Sequence, residues 1–101
     1  MIEKEYRIIS GVDGDEPVEI PITDTFDLHP FRPADVRSAA LEYLEEARRR
    51  GFRQVRLIHG RGAGVQRANV QSLLQTLPWV ERFWDEASLG ATVVVLSPPS
   101  R

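Results

Sequence analysis

Apolar and polar residues alternate from Thr25 to His29 (TFDLH), with Phe26 and Leu28 on one face and Asp27 and His29 on the other, so this stretch reads as a half-buried strand that Pro30 stops. The period then changes. Val36, Ala40, Tyr43, Leu44 and Ala47 recur at the spacing of one helix face, in a segment opened by Pro33, which has no amide hydrogen to leave unpaired, and closed by Gly51. Arg53 to His59 (RQVRLIH) is a second strand. HGRGAG leads from it into a second helix with Val70, Leu73, Leu74 and Leu77 on one side, which Pro78 ends. Val80 to Trp84 and Thr92 to Leu96 (TVVVL) are the last two strands, joined by a loop with Leu89 and Gly90, and Ser97 to Arg101 is a tail. Before all this, Tyr6 to Ile9 and Val18 to Ile20 are short β-like pieces around a turn at Gly11 to Gly14, an arm or loose hairpin.

The expected fold is therefore α/β, in the order β-α-β-α-β-β: a mixed sheet of about four strands with two helices, plus the amino-terminal arm. The boundaries expected are 1–22 for the arm and 23–101 for the domain. A strand, crossover helix and parallel neighbour require a right-handed connection, which places His29 and His59 at the same carboxyl edge of the sheet.

Composition narrows the chemistry. The 101 residues suffice for one hydrophobic core, and no apolar run approaches the roughly 18 residues of a membrane span. No secretory signal or lipidation motif opens the chain, so a cytoplasmic location with no membrane partner is expected. The absence of cysteine removes disulfides, thiolate nucleophiles and Cys-ligated metals, leaving oxygen and imidazole groups. Charge is uneven. Through Asp27 eight acids face only Lys4 and Arg7, whereas from Leu28 onward seven acids face eleven bases, all arginine, the side chain that forks onto phosphate. Arg48, Arg49 and Arg50 fit the negative end of a helix dipole, a structural use.

The densest candidate chemistry is His59 to Gly64. Gly60, Gly62 and Gly64 sit between a strand end and a helix start, where glycine permits positive φ and close approach of a ligand, and where the first helical amides favour an anion. The spacing is that of neither a P-loop nor a dinucleotide fingerprint, and such a loop also occurs as a plain tight turn. Arg61 lies within it and Arg67 in the first turns of the next helix, two guanidinium groups able to close on phosphate oxygens. His59 flanks the loop, and Asp27 precedes His29 by two residues on the same face.

FDLHP (Phe26 to Pro30), HGRGAGVQR (His59 to Arg67) and LGATVVVL (Leu89 to Leu96) resemble the small MutS-related, or Smr, family, whose signatures are an LDLHG strand and an HGKG loop. The resemblance spans about residues 23 to 96. Arg61 replaces the family's lysine, and Pro30 stands where glycine is frequent, so the turn after His29 is stiffer and lacks an amide donor there. The resemblance implies a two-layer α/β sandwich and a nucleic-acid-binding or nicking endonuclease role. Phosphate binding is expected at Gly60, Arg61, Gly62, Gly64 and Arg67, and acid–base catalysis at His29 and His59, with Asp27 orienting them. On RNA the 2′-hydroxyl could serve as nucleophile without a cofactor. On DNA a water must be activated, and a divalent cation (Mg or Mn) held partly by Asp27 becomes the expectation; no dedicated metal-ligand cluster is expected. The alternatives are a module that binds DNA or RNA backbone without cutting it, and an interaction domain whose acidic arm docks a protein.

Overall fold

The computed structural model describes residues 6–9, 18–62, 64–88 and 90–99, with side-chain detail from residue 22 onward. β1 (Tyr6–Ile9) and β2 (Val18–Pro21) pair antiparallel, from Tyr6 opposite Pro21 to Ile9 opposite Val18, as expected of the amino-terminal hairpin. The turn expected at Gly11–Gly14 lies outside the described residues.

The main sheet contains β3 (Thr25–Asp27), β4 (Gln54–Ile58), β5 (Val80–Asp85) and β6 (Ala91–Leu96) in the spatial order β3-β4-β6-β5. β3 and β4 run parallel with Phe26 opposite Leu57 and Asp27 opposite Ile58, while β6 is antiparallel to both β4 and β5. This is the mixed sheet that the pattern predicts. The first strand stops at Asp27, because the chain turns at once: the Phe31 amide donates to the Leu28 carbonyl (3.0 Å). Pro30 has no amide to give, and Phe31 closes the turn in its place.

Helix α1 (Val36–Arg49) is preceded by a single 3-10 turn at Pro33–Asp35. Val36, Ala39, Ala40, Tyr43, Leu44 and Ala47 are all buried, so the apolar stripe is the core face. Gly51 ends the helix at φ +93°, and the Phe52 amide reaches back to the Ala47 carbonyl (3.0 Å) as a left-handed glycine cap allows. Helix α2 (Val65–Leu74) buries Val70, Leu73 and Leu74. It ends four residues before Pro78. Thr76 donates both its amide (2.9 Å) and its hydroxyl (2.7 Å) to the Leu73 carbonyl, which tightens the last turn and leaves Leu77 packed on the core from outside the helix.

The two helices touch each other and share one core with the inward residues Phe26, Leu28, Val55, Leu57, Val94 and Leu96, giving a two-layer sandwich. Phe26 stacks on Tyr43 (ring centroids 4.6 Å apart) and meets Phe31 edge-on (5.7 Å), so the FDLHPF segment is anchored through its aromatics and Asp27 and His29 face outward. The Tyr43 hydroxyl donates to the Thr23 carbonyl, and burial, with a smaller contribution from the Asp24 charge, raises its pKa above the ordinary tyrosine range. Tyr43→Phe is expected to cost about 1 kcal/mol in urea denaturation, the usual net worth of one hydrogen bond. An unchanged midpoint would show that this bond does not help hold the start of β3.

Candidate phosphate-binding site

The parallel ladder fixes where the site lies. Neighbouring strands run about 4.8 Å apart, and Asp27 is level with Ile58, so the chain leaves β3 toward His29 beside the point where it leaves β4 toward Gly60. The Leu28 amide donates to the Ile58 carbonyl (2.8 Å) and holds this edge together one residue beyond the strand. Both motifs therefore meet at one edge.

Within the loop, Gly60 and Gly64 take φ of +86° and +87°, left-handed values that a side chain would strain. Gly62 needs neither exemption. It shows no left-handed φ, and a Cβ built on it would meet no atom within 4 Å. The bare backbone at Gly62 faces open space. Gly64 caps α2 without a side-chain cap, so the first amides of the helix remain available to an acceptor from outside. His59, Gly60, Gly62, Gly64, Val65 and Gln66 line a cavity of about 180 Å³ at this helix start. A larger and more open hollow of about 510 Å³, lined by Ile22, Thr23, Asp24, Phe52, Arg53 and Gln54, lies at the opposite ends of β3 and β4. It contains no histidine and no glycine backbone.

The loop is tied to the segment before β6. The Gly90 carbonyl accepts both the His59 amide (3.0 Å) and the Gly60 amide (2.9 Å). The Gly60 amide is thus already used, and the backbone amides left open to a ligand lie further on, at Gly62, Gly64 and the start of α2. Arg61 packs its stem over Gly90, where a Cβ would come within 3.2 Å of Arg61 Cγ. Its side chain is exposed, and among the described residues it has no ion-pair partner.

Other arginines are occupied. Arg67 grips Asp85 through Nε (2.7 Å) and a terminal nitrogen (2.6 Å), so its fork is engaged with a carboxylate in the place where a phosphate was expected. Arg49 and Arg50 bind Glu46, Arg56 binds Glu86, and Arg53 lies near Glu81. Arg48 caps the Ser97 and Pro98 carbonyls and lies over Trp79. The excess of arginine in the sequence is largely spent inside the fold.

The two histidines differ. His29 is exposed, its amide donates to Asp27 Oδ1 (2.8 Å), and among the described residues its ring has no partner. His59 is only 7% exposed, with Nδ1 at 3.0 Å from the Gly60 carbonyl and Nε2 at 2.9 Å from Thr92 Oγ1. Gln71 donates to that same Thr92 oxygen (3.2 Å) and to Asp85 Oδ1 (2.8 Å). For His59 to move a proton, one of its two bonds would have to break. Thr92, Gln71 and Asp85 lie outside the FDLHP and HGRGAGVQR motifs. The signals were a threonine in an apolar strand, where a buried hydroxyl needs a partner, and a glutamine one helical turn after Arg67 on the same face.

Among the described residues no group of three or more His, Asp or Glu side chains is placed to hold a metal ion. No helix among them is long and apolar enough to cross a membrane.

The hydrogen bond from Arg67, reinforced by Gln71 and by the Arg67 charge, lowers the Asp85 pKa to about 2 against a smaller opposing effect of burial. Because the folded value lies below the unfolded one, the stabilisation from this carboxylate is complete above about pH 4 and is lost as pH falls toward 2. Asp85→Asn should therefore lower the urea midpoint at pH 6 and converge on the parent protein near pH 2. A gap between the two that does not change with pH would contradict the ion pair.

The model of the Smr domain family matches residues 26–97, which contain both motifs. Endonuclease MutS2 of Gemmatimonas aurantiaca is 33% identical over 88 residues, 83% of this chain and 11% of that protein. Endonuclease MutS2 of Thermus thermophilus is 40% identical over 75 residues, 67% of this chain and 10% of that protein. The chain spans about a tenth of the length of these curated relatives. The crystal structure of the Smr domain of Thermus thermophilus MutS2 superposes with a TM-score of 0.71 at 34% identity, covering 75% of this chain and 100% of that one. YdaL, a stand-alone small MutS-related protein from Escherichia coli, shares the fold (TM-score 0.68, 21% identity, 73% of this chain and 64% of that one). The chain belongs to the Smr domain family.

Proposed function

We propose that this domain binds the sugar–phosphate backbone of nucleic acid at the glycine loop and nicks it at the adjoining strand edge. The observation that carries this reading is the cavity at the start of α2, lined by the bare backbone of Gly62, the αL cap at Gly64 and the first residues of the helix, which the chain enters from the sheet edge where β3 ends at Asp27. The relatives named endonucleases support the reaction class. In this reading the loop amides and Arg61 hold a phosphate and stabilise the charge that builds on its oxygens. His29, exposed and with its ring free of protein partners among the described residues, transfers the proton. Asp27 holds the turn that carries it, through the His29 amide.

The residues present fit a divalent ion only in the sparse manner of magnesium sites, one carboxylate plus substrate phosphate and water. Asp27 Oδ2 would be that carboxylate, and the ion would supply activation of a water on DNA. RNA, with its own 2′-hydroxyl, would need no such ion. Arg67 would join phosphate binding only by leaving Asp85.

A second reading, binding without cleavage, is favoured by one observation: both nitrogens of His59 are engaged, which leaves a single free imidazole at the site.

Equilibrium binding and single-turnover cleavage of supercoiled plasmid and structured RNA, with and without a divalent ion, separate these readings. Gly62→Ala is expected to leave thermal stability unchanged, because the fold does not require glycine there, and to weaken binding of all sequences alike. Arg61→Ala should reduce the slope of log affinity against log salt by about one phosphate contact. Binding unaffected by either change would place the interface elsewhere. His29→Ala should lower cleavage by about 10² to 10⁴ with affinity nearly unchanged. Full-rate cleavage by this variant would remove His29 from the reaction, and a parent protein that binds but never cuts would establish the second reading.

A further inference from the structure

We propose that Thr92 and Gln71 are positioning residues for the phosphate loop, acting through His59, whose own work is to hold the loop's shape. This rests on the reading of the loop as a phosphate site.

The direction of every hydrogen bond in the chain of contacts is set by chemistry. The Gly60 carbonyl can only accept, so His59 Nδ1 carries a proton. A neutral ring then presents Nε2 as an acceptor, and its partner there is the Thr92 hydroxyl, which must donate its one hydrogen. Thr92 is fully buried, and its oxygen receives an N–H of Gln71. The same amide nitrogen donates to Asp85, which as a carboxylate accepts only and is itself gripped by Arg67. Arg67 and Asp85 thus fix which end of the Gln71 amide faces inward, Gln71 fills one lone pair of the Thr92 oxygen, the Gly60 carbonyl sets the His59 tautomer, and the Thr92 hydroxyl answers the Nε2 that this tautomer leaves as an acceptor.

The consequence falls on Gly60. Its amide is bound by the Gly90 carbonyl and its own carbonyl by His59. In a trans peptide the C=O and the following N–H point in opposite directions. With the Gly60 carbonyl turned to the imidazole, the Arg61 amide is turned away from it. The network therefore sets the orientation of the Gly60–Arg61 peptide and the left-handed turn at Gly60, from which the donors at Gly62 and beyond follow. None of its members needs to touch substrate to do so.

The test is made on the 15N-labelled full chain. A long-range 1H–15N spectrum of the His59 ring at neutral to mildly alkaline pH should show the Nδ1–H tautomer. Thr92→Val, which keeps the volume and removes the hydroxyl, leaves Nε2 without its donor and should shift the His59 ring nitrogen signals and the backbone amides of Arg61, Gly62 and Gly64. It should also weaken binding of a single-stranded oligonucleotide by about three- to tenfold, the loss of one hydrogen bond. Thr92→Ser should restore all three readouts, and Gln71→Met should move them in the same direction by less, which also serves if Thr92→Val does not fold. An Nε2–H tautomer in the parent protein, or a Thr92→Val protein with unaltered ring and loop signals, would overturn the proposal. If the parent protein binds no oligonucleotide, the phosphate reading fails by that result, and the ring and loop signals alone decide whether Thr92 positions the loop.

Discussion

Asp27 stands level with Ile58 in a parallel ladder, and nearly everything at the functional edge depends on that register. Parallel strands need a long crossover, and α1 supplies it while covering the sheet face with Ala40, Tyr43 and Leu44. Phe26 and Leu57, opposite each other and buried, make a slip of one residue costly, since it would turn Phe26 to water and Asp27 into the core. With the register fixed, two segments far apart in sequence leave the sheet side by side, one carrying a carboxylate and an imidazole, the other a glycine loop.

The second constraint is polar. A histidine, a threonine and a glutamine occupy the edge of an otherwise apolar interior, where both ring nitrogens of His59, the Thr92 hydroxyl and the Gln71 amide nitrogen all have neighbours to bond. Such a network is costly when half satisfied and rigid when complete. Here it runs from the surface pair Arg67–Asp85 to the Gly60 carbonyl, so loop geometry is coupled to residues on α2, β5 and β6. Electrostatics follows the same logic. The fold uses most of its arginines on its own carboxylates and carbonyls, and Arg61 is left extended over Gly90 toward solvent.

How far the sequence discloses this can be judged element by element. The α1 stripe, the alternation at Phe26 to Leu28 and the glycine loop are local patterns, and each matches the structure because periodicity reports which face is buried. The pairing of β6 with β4 joins strands distant in sequence, and TVVVL alone does not say that β4 flanks it on the side away from β5. The early end of α2 depends on Thr76 turning back to Leu73, a contest that Pro78 obscures. Arg67 is the instructive case at the site. Its position in the helix was legible, but its engagement with Asp85 requires knowing that β5 passes the start of α2, and the same holds for Thr92 beneath His59.

The central claim is that an anion is held by the backbone from Gly62 to the first turn of α2. Backbone amide chemical shifts followed during titration with a short single-stranded oligonucleotide test it directly. The account predicts that the largest shifts fall on Gly62, Gly64, Val65 and Gln66, with smaller ones at Asp27 and His29. Shifts concentrated instead around Ile22, Phe52 and Gln54, at the opposite end of the parallel strands, would contradict it.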